Sequence, residues 1–253
     1  MTVDLVSTTE TRAAGLPLKE LAYQRIKDDI LHGVLAFGTV ISPRKICQQL
    51  GMSFLPVADA LRLLEAEGLV ETKERVGSRV RVPTRADIEG VFTVRAALEA
   101  EAARLACERA TPSQQKELLR LARQLDRQSV ALRKAEPNRE ANVKHAIRHV
   151  EFHLALAETV NCPMLTEAIR RSQVLTFKVQ IDSSLKTKQR PDNWHESLVR
   201  EVFRGDPMAA DAAARAHIRY GLDETIQFIE TLRVDDRWRT VVARPDSVTK
   251  HAK

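Results

Sequence analysis

Apolar positions along the chain recur mostly three and four residues apart, and short polar or glycine-containing breaks divide them into successive helices. Leu18, Leu21, Ala22, Ile26 and Ile30 form the first stripe, and Gly33 follows where a left-handed residue would end a helix. Ser42 and Pro43 read as the N-cap and first-turn proline of a second helix, with Ile46 and Leu50 on its apolar face and Gly51 as its stop. Ser53 opens a third. Pro56 falls in its first turn, where a missing N–H does no harm, and Val57, Ala60, Leu61 and Leu64 point inward. After Gly68 the period shortens towards two: stretches 69–73 and 79–82 alternate partially around Val76-Gly77-Ser78, which predicts a two-stranded wing. Three helices and a hairpin in this order make a winged helix-turn-helix.

From residue 84 the pattern is helical throughout. Thr84 with Asp87 forms a capping box, and the helix runs to about Arg109 with Ile88, Val91, Val94, Leu98, Ala102 and Leu105 on its apolar side. A second box, Thr111-Pro112-Ser113-Gln114, opens a helix that ends before Pro137. The pattern continues over 142–159, is broken by Asn161 and Pro163, and resumes to about Lys186. Helix 193–204 is closed by Gly205, and Asp206-Pro207 opens a last one carrying Ala210, Ala213, Ala214, His217, Ile218, Leu222 and Ile226 inward. The expected fold is mainly α: a winged helix-turn-helix at 17–83 and an antiparallel helical bundle with a central cavity at 84–232. Residues 1–16 read as a flexible extension and 233–253 as a mobile tail.

Composition agrees with helix over sheet, since aromatics are 4% of the 253 residues and only 9 Gly and 10 Pro are present. A net charge of +6 permits attraction to phosphate backbones without establishing it. Cys47, Cys107 and Cys162 are an odd set without a C-x-x-C pair, so neither a disulfide framework nor a cysteine zinc site is indicated. Residues 1–15 include Asp4, Glu10 and Arg12 and lack the apolar core of a signal peptide, and no run reaches membrane-spanning length. A cytoplasmic location is expected, with no membrane partner.

The chemistry lies in four histidines. His149 and His153 are one helical turn apart, so both imidazoles leave one face, while His195 and His217 sit on two later helices that can converge on them. A bundle interior with that set is a candidate metal site, and coordination requires neutral imidazoles, so occupancy should fall through the ordinary histidine range near 6.5. His145 continues the row but is read as solvated. A metal hydrolase is not expected: in His149-Val150-Glu151-Phe152-His153 the glutamate stands two positions after the first histidine, about 200° around the helix, instead of directly after it.

Pro56-Val57-Ala58-Asp59-Ala60-Leu61 followed by Leu64-Glu65-Ala66-Glu67-Gly68-Leu69-Val70 resembles the DNA-binding domain of the GntR family of bacterial transcription regulators. The resemblance implies that the third helix enters the major groove of a double-stranded operator. It points to Arg44 on the second helix, to Ser53, Phe54, Leu55, Ala58 and Arg62 on the third, and to Lys73, Arg75, Ser78, Arg79 and Arg81 on the wing. Phe54 and Ala58 depart from the family, standing where two arginines are usual. Further on, Arg95-x-x-Leu98-Glu99, Phe152-His153, Asn161-x-x-Met164-Leu165, His195-Glu196-x-Leu198 and Gly205-Asp206-x-x-Ala209-Ala210 resemble the FCD effector domain of the FadR-like branch.

That second resemblance implies a homodimeric regulator, not an enzyme, with repression the expected sense. It also implies a small carboxylate effector and a divalent metal held by an Asp and three His. The three map onto His153, His195 and His217, and His149 occupies the Asp position; imidazole suits zinc or nickel equally. Arg95 matches a position that often lines the effector pocket, the alternative being an i, i+4 pair with Glu99. Asn161 either reaches the cavity or ends its helix.

Overall fold

The computed structural model describes residues 17–136, 138–173 and 190–231. The expected terminal extension and tail, and the stretch to Lys186, lie outside these. The described residues divide into two compact units, one of 17–30 and 34–82, the other of 83–230 with 31–33.

The first unit contains α1 (Leu18–Leu31), β1 (Val40–Ile41), α2 (Pro43–Leu50), α3 (Phe54–Ala66), β2 (Val70–Lys73) and β3 (Gly77–Val80). Ser42 accepts a hydrogen bond from the Lys45 N–H, and Gly51 ends α2 at φ +62°, returning its N–H to the Cys47 carbonyl. That tight stop brings α3 directly after α2, as a helix-turn-helix requires. Val57, Ala60, Leu61 and Leu64 form the buried face of α3. At its far end Glu67 accepts hydrogen bonds from Tyr23 and, at 2.9 Å, from Lys27, tying α3 to α1.

The wing differs from expectation in two ways. The sheet has three strands in the order β1-β3-β2, all antiparallel, because the two-residue β1 pairs Val40 with Arg79 and Ile41 with Ser78. A strand of two residues shows no alternation to read. The turn also comes earlier: the Val76 N–H bonds to the Lys73 carbonyl, Arg75 takes φ +64°, and Gly77 already belongs to β3. Ser78 is thereby moved from the turn into the central strand, beside Arg79.

The second unit is a bundle of α4 (Arg85–Arg109), α5 (Pro112–Lys134), α6 (Arg139–Glu158), α7 (Pro163–Ser172), α8 (Trp194–Val202) and α9 (Pro207–Thr231). Both expected capping boxes form, Thr84 with Asp87 and Thr111 with Gln114. Asp206 accepts from the N–H groups of Met208 and Ala209 at the start of α9. On α4 the buried face is rotated from the expected one. Val94 is exposed, whereas Phe92, Arg95 and Glu99 are buried with Ile88 and Ala102. Two charges are tolerated there because they pair with each other.

The bundle core joins Ala103, Leu118, Leu125, Val150, Phe152, Leu154, Leu198 and Val202, with small residues such as Ala122, Ala146 and Ala210 at 0% exposure between them. Among the described residues no helix is long and apolar enough to cross a membrane. Phe152 is 1% exposed, so Phe152→Ala should lower unfolding free energy by about 3–5 kcal/mol. Urea unfolding followed by circular dichroism measures this; a loss below about 1 kcal/mol would show that the bundle collapses around the gap.

Candidate metal centre and DNA-contacting surface

His149 and His153 leave the buried face of α6, His195 is the second residue of α8, and His217 lies on α9. All four are buried, and one ring nitrogen of each falls within 4.8 Å of the others. The Nε2 atoms of His149 and His153 are 3.3 Å apart. Phe152 meets the His195 ring edge-on with centroids 5.3 Å apart, and the Trp194 ring stacks on His217 at 5.2 Å. These aromatic walls fix the imidazole planes.

Two carboxylates set which nitrogen faces inward. Asp126 on α5 lies 2.6 Å from His195 Nδ1 and also accepts from the backbone N–H groups of His195 and Glu196. Asn193 makes no side-chain cap, so Asp126 satisfies the open amides of α8 from a neighbouring helix. Glu99 on α4 lies 2.7 Å from His153 Nδ1, and its other oxygen accepts from Arg95 Nε at 2.8 Å and Gln173 Nε2 at 3.0 Å. Burial opposes ionisation of Glu99, but the Arg95 charge and the His153 contact outweigh it and hold the carboxyl at about 2. Facing a carboxylate, each Nδ1 carries its hydrogen, so the Nε2 of His153 and of His195 presents a lone pair. His195 Nε2 is buried without a hydrogen-bond partner.

His149, His195 and His217 are strongly biased to the neutral form. Burial lowers His149 and His217 well below the ordinary value, assisted by their histidine neighbours and by Arg190 and Arg95. Burial likewise holds His195 at about 4, against the opposing pull of Asp126. These three therefore stay deprotonated to lower pH than the ordinary histidine range near 6.5. His145 is corrected, because it is mostly withdrawn from solvent, with Nε2 3.4 Å from Ser129 Oγ and burial holding it at about 4. It is not one of the converging four.

Arg95 is committed to Glu99 and lies over the Phe92 ring, reaching the cluster through the carboxylate. Asn161 is exposed at φ +54° between α6 and α7, so it ends a helix. Eight residues beyond His153, or about 12 Å along a helical axis, it is not brought to the cluster. Asp126 was missed in the sequence, although an acid beside Leu118, Ala122 and Leu125 on one buried stripe was a readable signal. Glu99 was read only as a partner of Arg95.

In the first unit Arg44, Ser53, Phe54, Leu55, Arg62 and Arg75 are exposed, Ala58, Lys73 and Arg81 half-buried. Arg62 pairs with Asp59 at 3.1 Å. Two expected contacts are corrected. Ser78 is buried against Thr72 Oγ1 at 2.9 Å, and Arg79, 4% exposed, pairs with Glu71 at 2.5 Å. The earlier turn places Ser78 inside the sheet, and pairing with Glu71 across the ladder withdraws Arg79 from the surface.

Residues 18–80 match the family model of the bacterial regulatory proteins of the gntR family, and residues 90–220 match that of the FCD domain. The Glc operon transcriptional activator of Escherichia coli K12 is 29% identical over 226 residues, covering 80% of this chain and 87% of that protein. A probable D-xylose utilization operon transcriptional repressor of Paenarthrobacter nicotinovorans is 26% identical, covering 79% and 89%. In fold, a putative transcriptional regulator GntR from Rhodococcus sp. RHA1 superposes with a TM-score of 0.64 at 22% identity, covering 85% of this chain and 99% of that one. E. coli McbR/YncC gives 0.61 at 22% identity, covering 84% and 98%. Both sequence relatives are named as transcription regulators. With both of its units matched in order, the chain belongs to the GntR family of bacterial transcription regulators, carrying an FCD domain behind its DNA-binding helix-turn-helix.

Proposed function

We propose that this chain is a cytoplasmic, ligand-responsive repressor that binds a two-fold operator as a homodimer and is controlled by a small carboxylate acting at a metal-containing bundle. The observation that carries the reading is the four buried imidazole nitrogens within 4.8 Å of one another, two of them aimed inward by carboxylates. Repression is the sense described for the D-xylose relative, and activation that of the Glc relative. Operator position relative to the promoter decides between them, and dimerisation through the helical unit would supply the two-fold symmetry.

The donor set fits a divalent ion, zinc or nickel. Neutral imidazoles are good ligands for both, the 3.3 Å spacing of His149 and His153 suits two nitrogens sharing an ion at about 2.0–2.1 Å, and the unpartnered His195 Nε2 is a buried acceptor needing a cation. Bound there, the ion would supply a Lewis-acidic positive centre for an anionic ligand. The protein's own part is orientation: Asp126 and Glu99 hold His195 and His153, and Arg95 with Arg190 adds the positive field that already disfavours protonated His149 and His217. Control of the operator then requires that the effector bind the DNA-competent and incompetent states with different affinity. A second reading has the metal itself as the signal, because four protein nitrogens complete a tetrahedral site. Metal alone would then change operator affinity, with no carboxylate needed.

His195→Ala and His217→Ala should lose both metal and effector, and His149→Asp should keep metal while weakening carboxylate binding, since the added charge offsets the ion's. Asp126→Asn should lower metal affinity about 10- to 100-fold. Elemental analysis and a thermal-shift screen of small carboxylates measure these. Unchanged effector affinity in verified metal-free protein would assign the histidines to direct hydrogen bonding.

Operator affinity, read by fluorescence anisotropy, should fall steeply with salt. Arg44→Ala or Arg75→Ala should each flatten the salt slope by about 1. Arg79→Ala should instead lower stability, because it strips the partner from Glu71. A salt slope that drops equally in the Arg79 variant would return that residue to the DNA surface.

The sign of the pH effect follows from burial. In the unfolded chain these histidines titrate near 6.5, and in the fold His195 waits until about 4, so between those values the unfolded state holds more protons. Stability of the metal-free protein is therefore full above about 6.5 and falls as pH drops towards 4. Melting temperature of chelator-treated protein should decline steadily from about pH 7 to 5. A flat melting profile would show that the site admits protons freely.

A further inference from the structure

The first turn of α3 carries an exposed apolar pair. Phe54 is 60% exposed and Leu55 66% exposed, while the opposite face of the helix buries Val57, Ala60, Leu61 and Leu64. Phe54, Ala58 and Arg62 follow one another four residues apart, along one line of the outer face. The Ser53 hydroxyl makes no capping bond and is also exposed. On α2, which packs against α3, Arg44 and Lys45 are exposed, as is Arg75 at the hairpin turn. An exposed apolar tip on a unit that also exposes these cations calls for a partner that is polyanionic outside and locally apolar within.

The major groove answers that description, and only one of its base-edge groups is apolar: the C5 methyl of thymine. The residues that open a recognition helix are those that meet base edges, and phenylalanine contacts the thymine methyl well. Neither Phe54 nor Ala58 can make the bidentate contact by which arginine reads guanine O6 and N7. The geometry points to Phe54 and Leu55 as readers of thymine methyl groups, so that the operator half-site is defined under the first turn of α3 by T·A pairs instead of by guanines. This rests on the operator-binding function proposed above and adds the chemistry of its specificity.

The test uses the full chain. Its preferred operator is selected from a random duplex pool, and each thymine is then replaced singly by deoxyuridine, which removes the methyl and keeps every hydrogen-bonding group. Wild-type affinity should fall about fourfold at one or two positions in each half-site, the value of one buried methyl group, and stay unchanged elsewhere. Phe54→Ala and Leu55→Ala should each erase the penalty at one of those positions, as a double-mutant cycle reads it. Both side chains are exposed, so the variants should melt with wild type. Phe54→Arg should shift the selected base at its position towards guanine. A wild type indifferent to every uracil, or a penalty that survives in both alanine variants, overturns the inference while leaving operator binding intact. If no sequence is enriched and binding does not respond to salt, operator binding itself falls, and the apolar tip belongs to a protein contact.

Discussion

The contact between Asp126 and the start of α8 organises the second unit. One carboxylate accepts from two successive backbone amides and faces the Nδ1 of His195, so it ends the search of α8 for a cap and fixes an imidazole in the same step. Without it the first turn of α8 would hold unsatisfied N–H groups inside the bundle, at a cost of about 1–3 kcal/mol each. The imidazole would also be free to rotate. Helix placement and ligand orientation are thus one interaction, and α8 cannot shift along α5 without turning His195 away from the other three histidines.

Glu99 does the corresponding work on the opposite side, by a different balance. A carboxylate buried at 4% exposure would normally take up a proton, but Arg95 one turn earlier and His153 beyond it keep it ionised, and Gln173 adds a donor from the end of α7. The result couples α4, α6 and α7 through one charged centre. Such a network is rigid when all its members are present and costly when one is removed. It ties the histidine cluster to three helices at once.

Most of the helical architecture was legible because helix punctuation is local. Ser42, Pro43 and Gly51 bound α2, and Thr84 and Thr111 open α4 and α5 in the conformations their sequence spacing implies. The four histidines were legible for a related reason, two lying one turn apart on a single helix. What was lost is non-local. The strand at Val40 and Ile41 exists only through its partner, and the burial of Ser78 and Arg79 depends on a turn that closes at Lys73–Val76 with a non-glycine residue, Arg75, in the left-handed region. Periodicity likewise misplaced the inner face of α4, because it ranks Arg95 and Glu99 as polar and has no means of seeing that they cancel each other's charge. Asp126 was invisible as a cap because it caps a helix 69 residues away in sequence.

Two departures from the family resemblance lie in separate units and share one physical character: each replaces a charged group with a neutral one. At α3 two arginine positions are Phe54 and Ala58, and on α6 an aspartate position is His149. Exposed cations remain elsewhere in the first unit, Arg44 and Arg75 among them, and cations of that kind supply sequence-independent attraction to phosphates. On the reading proposed above, what the helix reads moves from hydrogen-bond acceptors to methyl groups. Removing the anion from the histidine site does not remove its donors, because imidazole supplies a nitrogen where the carboxylate supplied an oxygen. It would change what an ion there presents to a ligand, since four neutral donors leave its positive charge undiminished, and burial keeps His149, His195 and His217 neutral well below the ordinary histidine range. In both places the fold is kept and the selectivity of the site is moved, and the two changes are independent because no residue is common to the two sites.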